Sequence, residues 1–394
     1  MRVLYVLHRY HTNQIAIMKG WREHGDEIRL LTQYSGGVED HEYVQPIIVG
    51  YSNIFNIFYK LWVNVIRRKD PFAKDIRLRY GWPPVKKMEK LITEFNPDLV
   101  VLRERSWYTM TCYRICKKHG YRTFLYNLSP VWAEPSYWHH DFMHKIVRSH
   151  CPEYRYTPTN QIGIDLTGKI KDDHSYFAPF VVEPICAPDD REYFKDGKIN
   201  LFEIGKYQER KNHFMMVRVL QRLVNIYPNI HLTIAGECSD RFHEEYYNRL
   251  VSYINDNNLR SYVTLYKNLP KKQVGEIYKN SDIYILTSTQ EPASISVIES
   301  MAYSTLSISG TDNGTADYII PGVTGEVFKD CDENDLFDKI NMILSDKDTV
   351  PKMGRAAYQH VCEQFQFANY YSTFVKMIHD QDNDANQVNT VSSF

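Results

Sequence analysis

Two glutamates eight positions apart, Glu291 and Glu299, stand in the stretch EPASISVIES, the first after a polar run and the second inside an apolar pattern of helical period. The preceding segment, DIYILTSTQEP, reads as an apolar strand ending in Ser, Thr and Gln, which sets Glu291 at the strand's C-terminal mouth, where open α/β sheets bind ligands. A helix beginning near Ser294 carries Glu299 about one turn inward. Carboxylates so placed suit the hydroxyls of a sugar and of a ribose, while N–H groups of the helix start between them suit phosphate oxygens. The same letters also have a purely structural reading. Ser296 and Glu299 frame an S-x-x-E capping box, in which the glutamate only satisfies a backbone N–H.

A second cluster lies in LFEIGKYQERKNHF. A strand ends at Gly205, Lys206 and Lys211 follow five apart, and Asn212 is placed to cap the next helix. Lysines at a strand end and a helix start can clamp a diphosphate, because the helix N-terminus adds backbone donors and the positive end of its dipole. A solvated charged loop is the plain alternative.

These residues need a scaffold, and the chain supplies alternating strands and helices. RVLYVL (2–7) leads to a helix around 13–24 and then EIRLLT (27–32); PDLVVL (97–102), a helix over 106–119 and TFLYNL (123–128) repeat the unit. In VKKMEKLITEF, the residues Val85, Met88, Leu91, Ile92 and Phe95 share one helical face. After about residue 195 the alternation restarts with INLFEIG (199–205), a helix over 212–227, IHLTIAG (230–236), a helix over 241–256, YVTLY (262–266), a helix near 271–279 and DIYILTS (282–288). Strand-helix-strand repetition implies parallel sheets. The expected fold class is therefore α/β with two Rossmann-like doubly wound domains facing a cleft.

Composition agrees. A chain of 394 residues with 43% hydrophobic content exceeds what one core usually organises. The predicted domains are 1–190 and 191–365, with a helix over 366–380 returning to the first domain and a polar, aperiodic disordered tail over 381–394. With 47 Lys+Arg against 48 Asp+Glu, nothing calls for a nucleic-acid partner. The seven cysteines form no C-x-x-C pair, so neither a disulfide framework nor a metal site is expected; Cys112 and Cys116, four apart on a helix, read as core. No apolar run reaches membrane-spanning length and no leader with a cleavage site opens the chain, which points to a cytoplasmic protein, soluble or at most peripheral on the inner face of the membrane.

The order of the pieces carries more than each alone. GK-YQER-KN, LTIAGE, VTLYKNLPKKQVGEIYKNSDIYILTS, EPASISVIESMAYSTLSISG and GTADYIIPGVTGEVF together closely resemble the C-terminal domain of GT-B glycosyltransferases of the retaining family 4 type, with its E-x7-E signature. The resemblance covers about residues 195 to 380; the N-terminal half shares only the Rossmann-like alternation and the helix ending WREHGDEIRLLT. Membership implies that Lys206, in place of the family's usual arginine, and Lys211 grip a donor diphosphate beside Gly205. It implies that Glu291 holds the transferred sugar's hydroxyls and Glu299 the ribose, that backbone N–H groups of Ser294, Ile295 and Ser296 reach sugar and phosphates, and that the loop from Lys267 to Leu269 lies beside the base. It further implies retention by front-face attack, with a UDP-sugar expected before a GDP-sugar as substrate, no other cofactor and no metal.

This sequence departs from the family's pattern in places. Pro292-Ala293-Ser294 replaces the usual x-F-G after the first glutamate, and Asn313-Gly314-Thr315 with Asp317 replaces a glycine pair and glutamate. A lysine at 206 keeps charge but lacks the planar fork that grips phosphate with two bonds. On the acceptor side, His8, Arg9, His11 and Thr12 follow the first strand, Asn127 stands near the usual histidine position, and His139 and His140 follow in YWHHDF. In NIFNIFYKLWVNVIRRK, the residues Phe55, Phe58, Trp62, Val65 and Ile66 share a helical face, and residues 60–90 hold ten Lys/Arg against three Asp/Glu. A basic amphipathic helix of this kind suits an anionic membrane surface, contacted through residues 55–90, or else packs against the core. The expected activity is sugar transfer from a nucleotide sugar to a glycan or lipid-linked acceptor. Alternatives of other classes are a non-catalytic GT-B partner subunit and a nucleotide-sugar epimerase.

Overall fold

The computed structural model describes all residues except 37–40, 71–72, 105, 129–131, 134–141, 152, 161–169, 172–173 and 392–394. It divides into two compact units: Met1–Pro158, Thr167–Val181 and Phe367–Phe394 form unit 1, and Thr159–Leu166 with Val182–Gln366 form unit 2.

Unit 1 is built on strands β1 (Arg2–Leu7), β2 (Glu27–Thr32), β3 (Ile47–Ile48), β4 (Leu99–Arg103) and β5 (Arg122–Tyr126). A two-residue antiparallel pair, β6 (Trp132–Ala133) and β8 (Ile170–Lys171), stands apart, while β7 (Arg155–Thr157) and β9 (Ser175–Phe177) complete the main sheet. Its order is β3-β2-β1-β4-β5-β7-β9, with every pairing parallel. The helices are α1 (Ile15–Glu23), α2 (Asn53–Leu61), α3 (Ile76–Tyr80), α4 (Val85–Phe95), α5 (Trp107–Lys118) and α6 (Phe142–His150). A strand covered on both faces must be apolar at every position, and β1 shows how such a run is used. Val3, Tyr5 and Leu7 join one cluster with Trp21 of α1, whereas Leu4 and Val6 join another with Met88 and Ile92 of α4 and Cys112 and Cys116 of α5. The two cysteines are buried, and all seven are free thiols.

Unit 2 holds α7 (His213–Leu223), α8 (Arg241–Asp256), α9 (Lys271–Lys279), α10 (Ser296–Ala302), α11 (Glu333–Ser345) and α12 (Thr349–Gln364). Its strands are β10 (Ile199–Ile204), β11 (Ile230–Gly236), β12 (Val263–Lys267), β13 (Ile283–Leu286), β14 (Leu306–Gly310) and β15 (Gly325–Phe328), in the all-parallel order β12-β11-β10-β13-β14-β15. The chain winds outward from β10 to β12, then returns to place β13 on the other side of β10. That reversal opens a crevice between the carboxyl ends of β10 and β13.

The last helix, α13 (Phe367–Val391), belongs to unit 1. Tyr370, Phe374 and Met377 enter the cluster that holds Tyr5 and Trp21, and the Tyr5 and Tyr370 hydroxyls lie 3.0 Å apart. Of the disordered tail expected over 381–394, the part through Val391 is helix instead, and 392–394 lie outside the described residues. Polar residues that bury nothing by themselves find partners far away in sequence: Gln381 donates to Glu153 at 3.0 Å, Asp382 pairs with Arg122, and Asp384 accepts from the Tyr154 hydroxyl.

Within unit 2, Asp282 at the start of β13 accepts the N–H groups of Phe194 and Asn200, each at 2.7 Å, and so fixes the entry to β10. Burial pushes its carboxyl up from 3.8 to about 6, against the lowering effect of those two donors and Arg191. The folded chain thus holds this proton more tightly than the unfolded chain does. The resulting stabilisation is complete below the unfolded value and is lost as pH rises through about 6. An asparagine at this position removes the titration. Between about pH 4 and 7 the unfolding free energy of an Asp282→Asn variant should gain on the parent by up to about 3 kcal/mol, measured by urea denaturation at each pH; a pH-independent difference would clear Asp282 of this role.

Candidate functional site

Behind β10 the chain turns through a single 3-10 turn, Glu209–Lys211, and Asn212 then adopts a left-handed conformation (φ 54°) before α7 begins. Asn212 occupies the cap position, as its place in the sequence suggests, but its side chain makes no cap bond; its amide points to Met215 Sδ at 3.4 Å. The turn aims Lys211 across the crevice. Lys211 Nζ meets Glu291 Oε2 at 2.5 Å, and Arg210 Nη1 reaches the same oxygen at 2.6 Å. Burial alone would raise the Glu291 carboxyl, yet the two cations more than offset it and hold the group below its usual range. Lys211 is lowered, chiefly by burial and then by the neighbouring Arg210, with Glu291 opposing. Two cations share one carboxylate, so the cluster carries one positive charge in excess and favours an anion.

The loop bearing Glu291 is held from beneath. Its N–H donates to Asp312 O at 3.0 Å and its carbonyl accepts from Gly314 N at 2.9 Å, which fastens 291 to the turn after β14. Gly314 is required there, since a Cβ would stand 1.9 Å from the Pro292 carbonyl oxygen. Thr315 Oγ1 donates to the Ser294 carbonyl at 2.8 Å, and Tyr284 donates to Ser296 Oγ at 2.6 Å, which lies 2.7 Å from Ser294 Oγ.

The capping box does not form. Ser296 is already the first helical residue of α10, Ile295 is the cap residue, and no side chain caps the end. Glu299 sits one turn in, partly buried, with Tyr278 donating to it at 3.5 Å; burial pushes its carboxyl up, with Lys271 and Tyr278 opposing. Lys206 follows β10 as expected but turns to Glu237 at 3.2 Å instead of joining Lys211. Gly205 packs where a Cβ would meet the Lys211 stem at 2.9 Å. Leu269 follows β12, two strands from β10, or about 9.6 Å at ordinary strand spacing. The adjacent Asn268 is tied to the end of β11 through Cys238, accepting its N–H at 2.8 Å. In unit 1, His11 and Thr12 are exposed at the carboxyl end of β1, His8 is buried, and Asn127 is buried with its amide on Glu104 at 2.5 Å. His139 and His140 lie outside the described residues.

Sequence reasoning passed over Arg210, although it adjoins Lys211 in QERKN, because only the end residues of that stretch were read as a clamp. It also missed the polar layer below. Glu203, buried within β10, accepts from Thr287 Oγ1 at 2.5 Å and faces His213 Nδ1 at 3.2 Å, while His213 Nε2 faces the Lys206 carbonyl at 3.2 Å. Thr287 also lies 3.0 Å from the Lys211 carbonyl. A glutamate inside an otherwise apolar strand, FEIG, was the available signal.

Two doubly wound parallel sheets, each in its own unit, are the architecture of the GT-B fold, and comparison with known proteins agrees. Residues 189–360 match the family model described as glycosyl transferases group 1. Glycogen synthase of Chlamydia trachomatis serovar A is 29% identical over 160 residues, covering 40% of this chain and 32% of that protein, so the match spans about a third of that relative's length. Among solved structures, sucrose-phosphate synthase from Thermosynechococcus elongatus superposes with a TM-score of 0.70 at 14% identity, covering 98% of this chain and 100% of that one. Anabaena Alr3699/HepE in complex with UDP-glucose superposes with a TM-score of 0.71 at 10% identity, covering 96% and 100%. At such identities the structural likeness establishes the fold.

The layer under the site makes Thr287 a positioning residue. Thr287→Val keeps the shape but removes the one hydroxyl donor that Glu203 and the Lys211 carbonyl share, and should cost about 1 to 3 kcal/mol in urea denaturation. Thr287→Ser should recover most of that loss, and a Val variant as stable as the parent would show that the hydroxyl holds nothing.

Proposed function

We propose that the chain is a retaining, metal-independent glycosyltransferase of the family 4 type that moves a hexose from a nucleotide sugar to a glycan or lipid-linked acceptor in cell-envelope polysaccharide, glycolipid or glycoprotein synthesis. The observation that carries this reading is the net-positive cluster of Arg210, Lys211 and Glu291 at the reversal point of the unit 2 sheet. Its excess charge suits the diphosphate of a donor, and its carboxylate suits a sugar's hydroxyls. The family-model match over 189–360 supports the reading, as does the UDP-glucose held by the Anabaena neighbour, which favours a UDP-sugar as donor.

In this reading Lys211 and Arg210 take up the negative charge that grows on the diphosphate as the glycosidic bond breaks. Charges already in position need no reorganisation at that moment. The acceptor hydroxyl attacks from the face the leaving group departs, giving its proton to a phosphate oxygen of the donor. Glu291 orients the sugar, and Glu299, one turn into α10, receives the ribose diol. Gly205, Ser294, Ile295 and Ser296 bring backbone to the phosphates, Lys206 adds charge, and Leu269 borders the base. His11 and Thr12 are acceptor-side candidates by their place after β1.

The reading is tested by calorimetry with UDP and by donor turnover. Lys211→Ala should weaken UDP by about 1.5 to 3 kcal/mol, the worth of a charge-assisted hydrogen bond. Glu291→Gln should depress turnover strongly while UDP, which lacks the sugar, binds as well or better. Glu299→Gln should weaken UDP by about 1 to 3 kcal/mol. UDP affinity unchanged in all three variants, with turnover intact, would remove the site and the activity together.

A further inference from the structure

Unit 1 carries an exposed apolar surface. Among the described residues, ten of the eighteen exposed large hydrophobic side chains fall between Ile48 and Val85. Six of them, Ile54, Ile57, Phe58, Leu61, Val65 and Ile66, lie on α2 and the π-helical turn Trp62–Ile66 that prolongs it. Ile54 is 83% and Ile57 72% exposed. Spacings of three, four, seven and eleven from Ile54 put Ile57, Phe58, Leu61 and Val65 on one stripe, about 18 Å long at the helical rise.

The stripe differs from the face read in the sequence. Phe55 is buried, its ring 5.2 Å from Tyr51, and anchors the helix to unit 1, while Trp62 is only half-exposed and the stripe of Ile54, Ile57, Phe58, Leu61 and Val65 faces out. The Ser52 hydroxyl caps α2 by accepting from Phe55 N at 3.3 Å, and Ser52 N donates to the Trp82 carbonyl at 2.7 Å, which sets the exposed indole of Trp82 beside the start of the stripe. An ordinary surface helix is turned the other way round.

Charge decides what covers it. The chain as a whole is balanced, at 47 Lys+Arg against 48 Asp+Glu, yet residues 60–90 hold ten Lys/Arg and three Asp/Glu. Lys60, Arg67, Arg68 and Lys69 are exposed around the far end of the stripe. A second copy of the chain docked on the same face would set this excess against itself. An anionic surface would neutralise it. No helix among the described residues is long and apolar enough to cross a membrane. We propose that this face seats the protein on an anionic lipid bilayer, with α2 lying in the plane of the headgroups, Ile54, Ile57, Leu61 and Val65 entering the acyl boundary and the basic side chains pairing with lipid phosphates.

The test is co-sedimentation of the full chain with vesicles of phosphatidylcholine alone and of phosphatidylcholine containing about a third phosphatidylglycerol. Binding to the anionic vesicles should exceed binding to the neutral ones by roughly tenfold and weaken with salt. The double variant Ile57→Asp with Leu61→Asp should lose roughly tenfold on the anionic vesicles, and Arg67→Ala with Arg68→Ala should lose most of the preference for anionic lipid. All these residues are exposed and remote in sequence from the unit 2 site, so melting temperature and UDP affinity should stay at parental values. Equal binding to both vesicle types, or a double-Asp variant that sediments like the parent, would overturn the proposal. A parent that ignores vesicles but is dimeric by light scattering, and becomes monomeric on Ile57→Asp with Leu61→Asp, would assign the face to a second copy and overturn it equally. The readout involves no turnover. Vesicle binding by a protein that accepts no nucleotide sugar would sink the enzymatic reading and leave this surface standing.

Discussion

Two cations on one buried carboxylate is the constraint around which unit 2 is organised. Burying Glu291 beside Lys211 is costly, because each charge leaves water, and the pair persists only if its geometry is held and its remaining bonding capacity is met. The surrounding structure supplies that hold. The loop after β10 must present Lys211 and Arg210 to one oxygen, and the loop after β13 must bring Glu291 to meet them, so the two loops are joined by Thr289 N donating to the Arg210 carbonyl at 2.9 Å. Beneath them Thr287 links Glu203 to the Lys211 carbonyl. Glu203 in turn faces His213 Nδ1 at 3.2 Å, so the polar layer continues one step further toward the apolar core.

The same logic explains why the turn after β14 is drawn in. Asp312, Gly314 and Thr315 are committed inward, to the Glu291 backbone, Gln290 N and the Ser294 carbonyl. Gly314 stands at the point where the Pro292 carbonyl leaves no room for a side chain. A loop so tied gives Glu291 a fixed backbone. Rigid placement matters for electrostatic catalysis, where a charge that must move before it can act loses its advantage.

Unit 1 spends its polar and aromatic residues differently. Tyr5, Trp21, Tyr156 and Tyr370 form a buried chain of hydrogen bonds, Trp21 Nε1 to Tyr5 at 2.8 Å, Tyr5 to Tyr370 at 3.0 Å and Tyr370 to Tyr156 at 3.0 Å. Through it the last helix of the chain is locked to the first strand, so residues at both ends of the sequence complete one core. The apolar stripe of α2 stands apart from this economy, its helix anchored through Phe55 and its opposite face left open.

The sequence by itself determined the doubly wound parallel class and four strands of each sheet, because unbroken apolar runs of strand length alternating with amphipathic helices admit few other arrangements; β3, β7, β9, β14 and β15 were not legible in it. It also set Lys206, Lys211 and Glu291 in the segments after strands and Glu299 one turn into the following helix. What only the tertiary structure decided were partners across long separations. Lys206 turned to Glu237, Arg210 joined Lys211 on Glu291, and Glu203 met Thr287, none of which local spacing can fix because each pairing depends on strand order. The polar end of α13 became helix because Arg122, Glu153 and Tyr154 await it on unit 1. The stripe on α2 turned by the same cause: periodicity shows that a helix has an apolar side, but which apolar side is buried depends on whose rings it meets, and Tyr51 met Phe55.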